Sequence, residues 1–132
     1  MALITVALAG LIGCASSAPS GMSGYPGFTS PRATLDTFFS AKMKGDYETT
    51  WRCYYKHYGD KVTKAEFIQH SKDDPTLLTA YEVRSIVESG TVGANARISL
   101  TFKTKDPKNP TRQVDVSEQL VNESGQWRIK VW

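Results

Sequence analysis

Apolar and polar residues alternate without a break through residues 92–102. Val92, Ala94, Ala96, Ile98, Leu100 and Phe102 share one parity, and Gly93, Asn95, Arg97, Ser99 and Thr101 share the other. A period of two places every apolar side chain on one face of a β-strand, whereas a helix would scatter them around its circumference. One dry face and one wet face predict an antiparallel sheet covered on one side only. Strands are predicted over residues 81–87 and 112–122, the latter carrying Val114, Val116 and Leu120 on its dry parity. Trp127, Ile129 and Val131 alternate in a last strand. Ser89-Gly90, the run Asp106-Pro107-Lys108-Asn109-Pro110 and Ser124-Gly125 supply the turns between the strands.

The covering layer must come from the first half of the chain, where the period changes to that of a helix. Ser30 is a preferred N-cap and Pro31 a preferred first helical residue; Leu35, Phe38, Phe39 and Met43 then form an apolar stripe that Gly45 closes. Asp46 caps a second helix expected to run to about Tyr58, with Tyr47, Trp51, Tyr54 or Tyr55, and Tyr58 three or four residues apart, so that Tyr54 and Tyr55 cannot both face inward. Thr63 and Glu66 form a capping box for a short third helix through Phe67, Ile68 and His70, ended by Asp73-Asp74-Pro75. Three N-terminal helices packed on a four-stranded antiparallel sheet make an α+β domain.

The chain has 132 residues, 40% hydrophobic and 22% charged, which is enough for one ordinary globular domain. A net charge of +3 with interspersed signs does not predict a nucleic-acid partner. Lys103, Lys105, Lys108 and Arg112 cluster around a turn and read as a solvated loop. No metal-ligand spacing, phosphate loop or nucleophile elbow occurs, so no cofactor and no metal are expected.

Leu11-Ile12-Gly13-Cys14 resembles the lipobox of bacterial lipoproteins. The uncharged apolar run before it has signal-peptide length and is too short to span a bilayer. No Lys or Arg precedes that run, a departure from the family pattern. The resemblance implies cleavage before Cys14 and a diacylglycerol on its thiol, giving a membrane-anchored protein of the bacterial cell envelope. Ala15 and Ser16 follow the cysteine where inner-membrane retention would place Asp, so the expected location is the outer membrane, facing the periplasm. The chain then divides into a signal peptide (1–13), a lipidated cysteine with a Gly/Ser/Pro-rich tether (14–30) and a domain (31–132), with Tyr25 and Phe28 read as part of a solvated linker. Cys53 is expected as a small core residue, since neither His57 nor His70 supplies a Cys–His signature.

Gly45-Asp46-Tyr47 at a helix end, the aromatic second helix and the closing Gly125-Gln126-Trp127-Arg128-Ile129 resemble the nuclear transport factor 2-like superfamily, and more narrowly its small bacterial lipoproteins. The resemblance implies a curved sheet wrapped around the first helix, a pocket at the open end and, often, a homodimer through the outer sheet face. Gln113, Asp115, Ser117 and Gln119 make that outer face polar, which argues against a tight dimer there. It implies little about activity, because the superfamily holds enzymes, carriers and binding proteins alike.

Glu118 stands on the dry parity between Val116 and Leu120, and two readings follow. Facing an apolar cavity, its carboxyl would hold its proton and suit a general acid or base. At a bulge or sheet end it would reach solvent or pair with Arg97 or Arg84. His57 and His70 read as surface or cap residues. Tyr47, Trp51, Tyr54, Tyr81 and Glu118 are the expected pocket lining, suited to a flat apolar ligand needing a few hydrogen bonds. The expected function is a tethered, non-catalytic domain binding a small apolar ligand or an envelope protein. The alternative is a pocket enzyme of isomerase, dehydratase or hydrolase type using Glu118 with a tyrosine of the second helix.

Overall fold

A computed structural model describes residues 24–55 and 61–131. The expected signal peptide, Cys14 and most of the tether lie outside the described residues, as do His57 and Tyr58. Three helices, α1 (Pro31–Lys44), α2 (Tyr47–Arg52) and α3 (Lys64–Asp73), precede four strands, β1 (Leu77–Ser89), β2 (Gly93–Lys103), β3 (Thr111–Glu123) and β4 (Gln126–Lys130). The strands form one antiparallel sheet in the order β1-β2-β3-β4, the simplest meander. No helix among the described residues is long and apolar enough to cross a membrane.

Each helix starts where a side chain caps it. Ser30 Oγ accepts the Ala33 N–H at 3.0 Å, Asp46 Oδ1 accepts that of Thr49 at 3.1 Å, and Thr63 and Glu66 close a reciprocal capping box. Gly45 ends α1 at φ 72°, a left-handed conformation that glycine adopts without strain. The alternation in β2 holds in the fold. Ala94, Ala96, Ile98 and Leu100 are buried against the helices and pair across β3 with Leu120, Glu118, Val116 and Val114. Leu35, Phe38, Phe39, Trp127 and Ile129 complete the core.

Three boundaries differ from the sequence expectation, each for a physical reason. The second helix stops at Arg52, because the backbone of residues 53–55 pairs with the outer edge of β4: Ile129 N–H donates to Cys53 O at 2.7 Å and Tyr55 N–H to Ile129 O at 2.8 Å. β1 begins at Leu77 rather than residue 81, and two register shifts, at Thr79 and Arg84, break the alternation that would have announced it. Val92 is not in the sheet and is 75% exposed in the turn before β2.

Residues 24–30 correct the reading of a free tether. Phe28 is buried at 7% exposure, its carbonyl accepts the Trp127 N–H at 2.9 Å, and the Arg128 guanidinium lies 3.7 Å over its ring. Gly27 exchanges two bonds with the buried Thr37 hydroxyl, at 2.9 and 3.1 Å. Tyr25 Oη donates to Asp46 Oδ2 at 2.9 Å. The segment is therefore a strap running back along α1 and belongs to the folded unit.

Candidate functional site

Of the residues singled out for chemistry, Tyr81 and Glu118 lie in the sheet and Tyr47, Trp51 and Tyr54 in or just after α2. From α3 to β1 the aromatic rings form one packed seam. Phe67 lies 5.3 Å from Trp51 and 5.5 Å from Tyr54; Tyr54 lies 5.3 Å from Phe38; Phe38 lies 5.0 Å from Phe39, and Phe39 stacks on Tyr81 at 5.0 Å. These are contact distances between rings, so Trp51, Tyr54 and Tyr81 pack on neighbours along this seam. Tyr47 is half-buried at the first position of α2. The Tyr81 hydroxyl is committed, donating to Asp36 Oδ1 at 2.8 Å, while Arg32 holds the other Asp36 oxygen at 3.0 Å. Burial, followed by the bonded Asp36 carboxylate, keeps that phenol protonated beyond its ordinary range.

Glu118 is half-buried on the inner face, in register with Ala96 and, through it, Ile86. Burial raises its pKa, and the positive charge of Lys42 works against that shift. The charge facing Glu118 thus comes from α1. Arg97 and Arg84, its expected partners, project from the opposite face with Ser99 and Ser117. Lys42 was missed from the sequence. A signal was available: it follows Phe38 by four residues and Phe39 by three, so it continues the buried stripe as a cation. The charge of the same lysine also acts on Asp74, just beyond α3, whose carboxyl is held low first by the Thr76 hydroxyl and N–H.

The register separates Glu118 from Tyr81. Tyr81 aligns with Leu100 and Val114, and Glu118 with Ala96, so the two are offset by four residues and two strands. That is about 13 Å along the strands and about 10 Å across them. An acid–base pair acting on one small substrate needs hydrogen-bond reach from both groups, and the Tyr81 hydroxyl is already held by Asp36. His70 is exposed in the last turn of α3. No group of three metal-ligating side chains occurs among the described residues. Cys53 is fully buried, its thiol bonded to Thr49 O at 3.3 Å and pushed up to about 12 by burial, so it is inert as a nucleophile.

No family model matches the chain, and no curated protein matches it. Solved structures do match. A SEC-C motif protein from Rhodopseudomonas palustris aligns at a TM-score of 0.65 and 14% identity, over 78% of this chain and 77% of its own. A ketosteroid isomerase-like protein from Erwinia carotovora atroseptica aligns at 0.55 and 17%, over 75% and 88%. An NTF2-like protein from Cytophaga hutchinsonii aligns at 0.53 and 12%, over 73% and 86%. At these identities the likeness concerns the fold. The chain has an NTF2-like α+β fold, with three helices against a four-stranded antiparallel sheet.

Proposed function

We propose that this chain is a lipid-anchored protein of the bacterial cell envelope whose domain binds a small apolar ligand without turning it over. The observation that carries the binding reading is the half-buried carboxyl of Glu118 on the apolar inner face of the sheet, in register with Ala96. That carboxyl stands among Ala96, Val116 and Ile86 and feels the positive charge of Lys42, a polar group on an apolar face that can fix the orientation of an otherwise apolar molecule. The commitment of the Tyr81 hydroxyl to Asp36 supports binding over catalysis. The NTF2-like fold is compatible with a ligand-binding domain. The anchor rests on Leu11-Ile12-Gly13-Cys14, and the outer-membrane, periplasm-facing location rests on Ala15-Ser16. A pocket enzyme remains the second reading, supported by the upward shift that burial gives the Glu118 carboxyl.

Native mass spectrometry of residues 15–132 tests the binding reading; the strap must be kept, because Phe28 belongs to the core. The expected spectrum carries extra mass that leaves on denaturation and is reduced in Glu118→Gln. A bare polypeptide mass, after purification without detergent, would overturn it. Fatty-acid labelling of the wild type that is lost in Cys14→Ser tests the anchor separately.

A further inference from the structure

The outer face of the sheet, away from the helices, holds a second polar cluster. Ser99 pairs across the ladders with Glu82 and Asp115, and Arg97 with Ser85 and Ser117. Arg84 is the extra residue of the second β1 bulge, which sets its side chain over this face between the two rows. Its Nε donates to Ser99 Oγ at 3.3 Å, and the Ser99 hydroxyl donates to Asp115 Oδ1. Arg84 Nη1 also lies 3.6 Å from Glu82 Oε1. Ser99 is only 5% exposed, although it belongs to the wet parity of β2. A depression of about 350 Å³ opens beside this relay, lined by Arg84, Arg97, Ile98, Asp115, Val116 and Ser117. That volume is in the range of small-ligand sites.

Two guanidinium groups and two carboxylates balance in charge, but they are unequally committed. Arg84 and Glu82 face each other, and Ser99 occupies one oxygen of Asp115. Among the described residues, the Arg97 guanidinium, the second Asp115 oxygen and the Ser117 hydroxyl have no partner. Arg97 and Asp115 are diagonal neighbours on β2 and β3, about 7 Å apart at Cβ, and no ion pair joins them. The depression therefore presents a separated plus and minus, each with unused hydrogen-bonding capacity.

We infer that this depression is a binding site for a small zwitterion of the α-amino acid class. The ligand carboxylate takes the planar fork of Arg97, and its ammonium takes the free oxygen of Asp115. A simple anion placed there would meet the Asp115 carboxylate, and a simple cation would meet Arg97; a molecule carrying both charges meets neither repulsion. Ser99 and Arg84 serve as positioning residues, because they fix the Asp115 carboxylate from behind. The site is shallow and wet, so its affinity is weak, in the millimolar range.

NMR titration of the full chain in detergent micelles, with L-alanine as probe and acetate and methylammonium as comparators, tests the site. L-Alanine is expected to give saturable shifts at the Arg97 Nε–H and at the Ser99 and Ser117 amides. Acetate and methylammonium should bind roughly tenfold more weakly, and Arg97→Gln or Asp115→Asn should each weaken alanine by a similar factor, while Lys103→Gln leaves it unchanged. Both site variants change side chains that reach the outer face, and asparagine keeps an acceptor for Ser99. Acetate matching alanine, alanine shifts that survive Arg97→Gln, or no shift at all (a face closed by a second copy included) would each overturn the inference.

Discussion

Helices α1 and α3 are both well capped, yet they do very different work. Ser30 and Pro31 start α1 as cleanly as Thr63 and Glu66 start α3. Seven residues of α1 are buried and none of α3 is. Apart from the half-buried Phe67 and Ile68, α3 presents mostly polar side chains to solvent, and Phe67 is its ring contact with Trp51 and Tyr54. Capping decides where a helix begins; the face it buries decides how much it contributes to the fold. The molecule is thus polarised into a firm body of α1, strap, sheet and the backbone of residues 53–55, and a lightly held α3.

The largest expected effect is in the firm body. Phe39, 2% exposed, joins α1 to β1 through Tyr81. Phe39→Ala should cost about 3–5 kcal/mol in urea denaturation, a large share of the stability of a domain this size. A cost near that of an exposed substitution would erase the distinction between the two regions. Next comes Thr37→Val, which keeps the shape of the side chain and removes both ties to Gly27. Leaving the Gly27 N–H buried and unbonded should cost about 1–3 kcal/mol, with rapid hydrogen exchange at that amide. Unchanged stability would mean that the strap is a passenger.

The strap is also where the sequence was least legible. Residues 24–30 have linker composition, and the contacts that order them come from Thr37 and from Trp127, far along the chain. The visible clue was two aromatic residues, Tyr25 and Phe28, in a run of small ones. β2 and β3 were legible because an uninterrupted ladder preserves the period of two over the whole of β2. β1 was legible only in part, since each bulge flips the parity. The inner-face position of Glu118 followed from parity alone. Its partner did not, because which cation of a covering helix meets a given sheet position depends on how α1 crosses the strands.

A smaller effect should separate the regions most cleanly. Thr63→Ala removes the capping box and should cost α3 about 1 kcal/mol. Hydrogen exchange should rise for the amides of residues 64–70, while Phe38 and Phe39 keep their protection. If protection falls in α1 as well, the two helices unfold as one unit and the polarity proposed above is wrong.

The smallest effect concerns Lys42, where the two regions meet, because its charge acts on Glu118 of the firm sheet and on Asp74 beyond α3. Glu118 has its pKa raised in the fold by burial. At acid pH it is protonated in both states and costs nothing. As pH rises from its ordinary value of 4.5 toward the higher folded value, the unfolded chain ionises first, so stability falls across that window and stays lower above it. Glu118→Gln should therefore match the wild type at acid pH and be slightly more stable at neutral pH. Asp74 has the opposite sign: held low by Thr76 and helped by Lys42, it contributes stability at neutral pH that is lost as pH falls below its ordinary value of 3.8. Lys42→Met should raise both carboxyl titrations, followed by carbon-13 NMR, deepening the neutral-pH penalty at Glu118 while shrinking the contribution of Asp74. Movement of Glu118 alone would show that α3 is electrostatically as detached as its burial makes it, and movement of both would make Lys42 the joint between a firm body and its loosely held helix.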